Sequence, residues 1–516
     1  MANYSSHRQS AQLRLLQQFW HSRLMAAVLT SGITLLVGFS IVQVFPRGPA
    51  TATQALIMMS CGFLMGCIGG LVMRSPLAMI LAPAAYILAV EVGQLNRVGP
   101  TIGPIRLDES FGILAFLLGR GFHGLIGVLP IVAGVGIGMM IADLSDPQLP
   151  NVAKPKRRLL SILLTAALIV LAGLIALPAS TPPILDDSGH VVSGSIASLE
   201  AVQTGGHKQW IMLRGKNKDN PVLLYLSGGP GQSDLSYSRV LFEDLTNDFV
   251  VVSWDERGTG KSYASLDPTE TLTLNQAIAN TAELTQYLKE RFGEQKIYLM
   301  GESWGSLLGV LTVQKHPELY YAFIGSGQMV DVQESDRQIY QALLQRAQQS
   351  EDQQLLAKLQ QYGEPPYRDI PYANGFIMSQ YPRLEKPYTP PQSYIQRGTP
   401  ARLGPFNILG REYNLVEKVN ILRGLIDMFT VMYPQLQTID FRQSIQRLEV
   451  PIYILDGAAE LPARRDLLLE WFDRLVAPKK ALFTFENAAH SVAFEQFEAL
   501  AEILKGTVLP ETYPQL

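Results

Sequence analysis

Cysteine is almost missing from this chain: two residues in 516, Cys61 and Cys67, both inside one apolar run. The rest of the sequence therefore has no disulfide framework and no cysteine-based metal site. Surplus charge of either sign is missing too. Lys and Arg total 42 against 45 Asp and Glu, and a net charge of −3 leaves no basic footprint for nucleic acid. No repeat or low-complexity tract suggests a scaffold. No metal or organic cofactor is implied.

A further scarcity is local. Residues 1–180 hold 12 Lys+Arg and 5 Asp+Glu, whereas the remainder holds 30 and 40. The long charge-free runs of this first part suit a bilayer, which takes about 20 apolar residues to cross. The expectation is an all-α transmembrane region over 1–180 with about five helices, at 24–45, 53–73, 76–94, 122–142 and 159–178. The run 111–118 is too short to span and is expected at the interface or re-entering. Buried helices of a soluble domain would not give so many such runs in succession. A cleaved signal peptide is excluded, because the first run lacks a small-residue cleavage site and further spans follow. Gly62 and Gly66, followed by Gly69 and Gly70, have the spacing that lets membrane helices approach closely. Glu91, Arg120 and His123 are ionisable residues at span ends, either functional or snorkelling to the interface.

Lys/Arg placement gives the orientation. Lys154, Lys156, Arg157 and Arg158 precede the last span, and 179–207 contain no Lys or Arg. Arg8, Arg14 and Arg23 place the N-terminus inside. Five spans satisfy both and put the remainder on the extracytoplasmic side of an integral membrane protein. A sixth span within 95–120, which carries Arg97, Arg106 and Arg120, would reverse that.

What is present beyond residue 180 names a reaction class. Residues 301–306 read Gly-Glu-Ser-Trp-Gly-Ser. They follow a strand-like run at 296–300 and precede a helix-like stretch at 307–313, the setting of a nucleophile elbow. Ser303 is placed to attack a carbonyl carbon. Upstream, the buried strand 221–226 runs into Ser-Gly-Gly-Pro-Gly at 227–231. The amides of Gly229 and Trp304 are the expected oxyanion donors. A second strand, 249–254, leads to Asp-Glu-Arg-Gly-Thr-Gly-Lys-Ser at 255–262. A phosphate loop would need glycine at 255, where Asp stands. Arg257 is expected to be a structural ion-pair partner.

Two histidines follow Ser303. His316 sits at a helix end before any candidate acid. His490, on a loop after the strand-like run 481–485, is left as the general base. The acid should follow strand 451–455, where Asp456 and Glu460 both stand; Glu460 has the better reach to orient the imidazole.

Together these motifs resemble the proline iminopeptidase (prolyl aminopeptidase) branch of the α/β-hydrolases over about 190–516. The resemblance implies an α/β-hydrolase fold over 185–516, with a mostly parallel central sheet and a helical cap at about 330–445. It implies a serine hydrolase that removes N-terminal proline or other residues from short peptides. Two positions depart from the family: Ser227 where histidine is usual, and Glu460 where aspartate is usual. Family members grip the substrate amine with cap carboxylates, for which Glu334, Glu364, Glu385, Glu412 and Glu417 are candidates. The expected partners are a short peptide or other small acyl substrate and the lipid bilayer, with no nucleic acid. Alternatives are an esterase or lipase acting on acyl esters at the membrane, and a non-catalytic binding or transport-associated protein.

Overall fold

Glycines decide how the N-terminal helices meet. In the computed structural model, which describes residues 17–20, 22–95, 97, 99–146, 151–152, 154–397 and 408–514, the first part includes five helices. They are α1 (Arg23–Val44), α2 (Ala52–Met73), α3 (Ala78–Gln94), α4 (Ser110–Ser145) and α5 (Pro155–Ala176). All but α3, which has 17 residues, are long and apolar enough to cross a bilayer. A Cβ added at Gly66 or Gly70 of α2 would strike the carbonyls of Ile131 or Val135 on α4. Reciprocally, one at Gly134 or Gly138 of α4 would strike those of Phe63 or Cys67. The two backbones therefore touch. Gly69 faces elsewhere, 2.9 Å from Thr30 of α1 by the same test. Asp143 of α4 accepts from Arg74 and Arg158 at 3.3 and 3.2 Å, tying α2 and α5 to it. Arg8 and Arg14 lie outside the described residues.

The run 111–118 is not a separate piece: it is the first part of α4, which has 36 residues. Hydropathy breaks at Arg120 and His123, but the helix continues because both find partners. Arg120 pairs with Glu91 and His123 with Tyr86. Two π-helical turns, Leu117–Gly121 and Gly124–Val128, accommodate the passage.

The chain divides into two compact units: Met1–Pro178 with Asn414–Glu417, and Ala179–Tyr413 with Lys418–Leu516. The second is built on an eight-stranded sheet. Its strands are β1 (Ile196–Thr204), β2 (His207–Gly215), β3 (Val222–Leu226), β4 (Val250–Asp255), β5 (Ile297–Glu302), β6 (Tyr320–Ser326), β7 (Ile452–Gly457) and β8 (Lys480–Phe485). The order is β1-β2-β4-β3-β5-β6-β7-β8, antiparallel at β1/β2 and β2/β4 and parallel elsewhere. β3, β4, β5 and β7 are buried at every position, as near-continuous apolar runs covered on both faces should be. From β3 the chain passes to β4 on one side, then to β5 on the other. This reversal opens a crevice at the carboxyl ends of β3 and β5. Between β6 and β7 lies a helical insertion that includes Val332–Gln349, Gln353–Tyr362, Tyr372–Ser379 and Leu415–Leu436.

Candidate active site

Ser303 stands between β5 and the helix Trp304–Lys315 with φ 53° and ψ −114°. A non-glycine residue at positive φ is strained by about 1–3 kcal/mol, and here the flanking glycines hold it. A Cβ at Gly301 would strike the Gly305 carbonyl, and one at Gly305 the carbonyl of Leu226, the last residue of β3. The turn thus closes only with glycine at both ends. It lifts the serine to the sheet edge at the amino end of a helix, where the dipole favours negative charge.

The residues read from sequence as catalytic come together. His490 Nε2 lies 2.9 Å from Ser303 Oγ, and its Nδ1 is hydrogen-bonded to Glu460 Oε2. The other oxygen, Oε1, accepts from the Leu461 amide at 2.7 Å and from Arg464 at 3.5 Å. Burial alone would push the Glu460 carboxyl up. The His490 ring, Arg464 and the Leu461 amide outweigh it and bring the pKa down to about 2. Asp456 points elsewhere. Still in register with Thr484 of β8, it accepts from that hydroxyl at 2.9 Å and from Arg465 at 2.8 Å. Past it the chain turns at Gly457, where a Cβ would strike the Ala489 carbonyl. This close approach brings the β7 turn to the His490 loop.

Gly229, at φ 118°, lies in the loop after β3. A Cβ on its neighbour Gly228 would sit 3.6 Å from Ser303 Cβ, so the loop lies beside the nucleophile. Trp304 is the first residue of its helix, and its N–H has no intrahelical acceptor. The insertion covers this loop: a Cβ at Gly231 would come 2.7 Å from the Gly424 carbonyl. Ser227 is buried at the end of β3.

Other expectations resolve differently. Arg257 is structural, donating to Ser265 O at 2.8 Å and Pro268 O at 2.8 Å, with the Asp267 carboxylate acting on its charge. The loop at 255–262 fills its own concavity: the Lys261 amide donates to Asp255 at 2.8 Å. His316 ends the helix after the elbow, 3.4 Å from Glu318. The five glutamates considered for amine binding are otherwise placed. Glu334 accepts from Arg337 at 2.6 Å and Glu364 from Gln341 at 2.9 Å. Glu412 takes Arg239 at 2.6 Å. Glu417 and Asn414 exchange hydrogen bonds in a capping box, and Glu385 is exposed.

Sequence reasoning missed the carboxylates that do surround the nucleophile. Glu302 precedes it and is buried, with Oε2 lacking a hydrogen-bond partner. Burial, then Asp234 and Glu495, push its carboxyl well above the ordinary range. Glu495 accepts from the Ala489 amide at 2.8 Å and Tyr388 at 2.6 Å. Glu256 accepts from the Trp304 indole at 3.2 Å, and burial raises its pKa to about 8. Arg464 was also missed. It reaches back one helical turn to Glu460 and donates to Tyr381 of the insertion at 3.0 Å. Its spacing of four from Glu460 was the one available signal.

Residues 221–361 match the family described as "alpha/beta hydrolase fold". A probable aminopeptidase of Bacillus subtilis (strain 168) is 30% identical over 313 residues, which are 60% of this chain and 96% of that protein. The proline iminopeptidase of Lactobacillus helveticus is 30% identical over 115 residues, 22% of this chain and 37% of its own length. Among solved structures, a proline iminopeptidase-related protein from Thermus thermophilus aligns with a TM-score of 0.42 and 18% identity, covering 62% of this chain and 100% of that one.

Proposed function

This chain belongs to the α/β-hydrolase superfamily, and on that premise we propose that it is a membrane-anchored serine hydrolase removing N-terminal, proline-like residues from short peptides. The observation that carries the reading is the hydrogen-bonded row Ser303–His490–Glu460 at the carboxyl edge of the sheet. Ser303 Oγ attacks the scissile carbonyl and passes its proton to His490 Nε2. Glu460 holds the Nδ1–H and steadies the imidazolium. The amides of Gly229 and Trp304 receive the oxyanion, helped by the helix amino end. His490 then protonates the leaving amine, and a water activated by the same Nε2 releases the acyl group from Ser303.

The similarity to a probable aminopeptidase supports a substrate with a free amine. Anchoring is supported by the apolar helices, and the basic cluster before α5 favours a hydrolase unit outside the cytoplasm. A second reading keeps the chemistry on acyl esters, and the helices that hold the chain at lipid favour it.

The test is hydrolysis of prolyl-aminomethylcoumarin and its N-blocked form by detergent-purified protein, with Ser303→Ala as control. Release from the free-amine substrate alone, lost in the variant, is expected. Release from acyl esters alone would move the assignment to the second reading. Failure of a fluorophosphonate to label Ser303 would leave a binding protein.

A further inference from the structure

The peptide group that joins Ala488 to Ala489, just ahead of His490, is held at both ends. Its carbonyl, on Ala488, accepts at 3.0 Å from the amide of Ala459, the neighbour of Glu460. Its N–H, on Ala489, donates to Glu495 Oε2 at 2.8 Å. The next carbonyl, of Ala489, lies where a Cβ on Gly457 would strike it, and a Cβ on Gly327 would come 3.1 Å from the His490 ring. The backbone that carries the base is therefore closely confined. One of its fixed points is a side chain, Glu495.

An ordinary role for Glu495 would be to cap its own helix, Val492–Glu495. In a capping box the glutamate stands three residues past the N-cap and bonds the N-cap amide. Glu495 stands four past Ser491 and reaches Ala489 instead, and Ser491 makes no side-chain cap bond. The other carboxyl oxygen is committed as well: Oε1 accepts from the Tyr388 hydroxyl at 2.6 Å. Glu495 is 6% exposed, and a carboxyl turned out of water depends on such partners.

Tyr388 belongs to the helical insertion, and its place is set by more than Glu495. Further along the same segment, Ser393 donates to Glu498 at 3.1 Å, and the buried Tyr394 accepts from the Tyr237 hydroxyl at 2.8 Å. The insertion is thus fastened to the hydrolase core close to Tyr388. The segment also reaches the acid. Tyr381 accepts from Arg464 at 3.0 Å, and Arg464 faces Glu460. Between the two tyrosines, Pro382, Arg383, Glu385, Lys386 and Pro387 are exposed. One stretch of the insertion therefore touches the supports of both the base and the acid.

We propose that Glu495 is a positioning residue for His490, holding the Ala489 amide so that the imidazole stays in line with Ser303, and that Tyr388 sets Glu495 from the insertion. The inference rests on the serine-hydrolase reading and deepens it. Both residues act through the Ala489 amide rather than on the reacting atoms. A base displaced by about 1 Å loses on the order of a hundredfold in rate, while groups that only bind the substrate are untouched.

The experiment follows labelling of Ser303 by a fluorophosphonate in the detergent-purified full chain. The rate at saturating probe and the half-saturating concentration are read separately, with the melting temperature alongside. Glu495→Ala should slow the saturating rate about tenfold to a hundredfold and leave the half-saturating concentration within about twofold. Glu495→Gln keeps an acceptor for the amide and a partner for Tyr388, and should label at the wild-type rate. Tyr388→Phe keeps the ring, loses the hydroxyl, and should slow labelling about threefold to tenfold. Added to Glu495→Ala it should have no further effect, because it acts through Glu495. Wild-type rates in Glu495→Ala, or full additivity of the two changes, would overturn the proposal. Equal slowing by Glu495→Gln and Glu495→Ala would overturn it too, by assigning Glu495 to charge rather than placement. If Glu495→Ala does not fold, Tyr388→Phe labelling at the wild-type rate still overturns it. Absence of labelling in the wild-type chain would instead overturn the serine-hydrolase reading, and the proposal with it.

Discussion

The two units are assembled by opposite means. The hydrolase unit is filled with large side chains: Leu299, Tyr298 and Met300 of β5 are all fully buried, and Phe494 stacks on Phe242 at 5.0 Å. The N-terminal unit is joined by leaving side chains out, with Gly66 and Gly70 against the α4 backbone and Gly134 and Gly138 against that of α2. On the membrane-anchored reading, the difference follows from the surroundings. In water, burying a large apolar group stabilises at about 25 cal/mol per Å². Lipid tails are as apolar as leucine, so helices gain from close backbone contact instead. Charge is managed differently as well. The N-terminal unit sets opposite charges against one another, Glu91 with Arg120 and the buried Asp143 with Arg74 and Arg158. In the hydrolase unit burial, above all, raises the carboxyls of Glu302, Glu256 and Glu495, with Asp234 adding to it at Glu302 and Asp255 at Glu256.

The sharpest separation of the units comes from Ser303→Ala. Turnover should fall by a factor on the order of 10⁶, while thermal unfolding of both units stays within about a degree of wild type or rises as strain at positive φ is relieved. Loss of folding together with activity would count against a purely chemical role for Ser303.

Next is a pair of substitutions that should break one unit each. Gly66→Leu adds atoms where two backbones meet and should cost the N-terminal unit about 1–3 kcal/mol or more. Leu299→Ala removes atoms from β5 and should cost the hydrolase unit about 2–5 kcal/mol. Calorimetry in detergent reads them separately. If Gly66→Leu is neutral, the direct contact of α2 and α4 is wrong.

Arg464→Met should act only where the relay is read. Without this guanidinium, Glu460 loses one of the two groups on Oε1 and faces His490 less neutralised. The acid limb of the kcat/KM profile should move to higher pH, and kcat/KM should fall about tenfold. A fall without movement of the limb would assign Arg464 to packing alone.

The smallest effect concerns Glu256. Folded, this carboxyl holds its proton up to about pH 8, whereas the unfolded chain releases it near the ordinary 4.5. Between those values folding takes up a proton, so stability falls as pH rises. Glu256→Gln keeps an acceptor for the Trp304 indole and removes the titration. Its stability relative to wild type should therefore grow from pH 5 to pH 8, by about a few kcal/mol at most, in denaturant titrations at each pH.

Much of this was legible where local geometry dictates residue type. The elbow needs glycine at 301 and 305, and buried parallel strands need apolar runs. The sheet class followed from the resemblance that the motifs carry. What sequence hid depends on partners far apart in the chain. The hydropathy break at Arg120 and His123 conceals a continuous helix because Glu91 and Tyr86, which satisfy them, belong to α3. The choice between Asp456 and Glu460 turns on Arg465 and Thr484 claiming the former. Glu412 looked free for an amine because its partner, Arg239, lies in another segment.

The helical insertion sits between the strand that follows Ser303 and the strands that deliver Glu460 and His490. A ribosome makes the chain in that same order. The N-terminal helices, the 227–231 loop and Ser303 all emerge before Glu460 and His490, with the helical insertion between. A nascent chain therefore carries Ser303 for a time without Glu460 and His490. On the proposed reading, hydrolytic competence arrives only after the helices that would anchor the chain have been made.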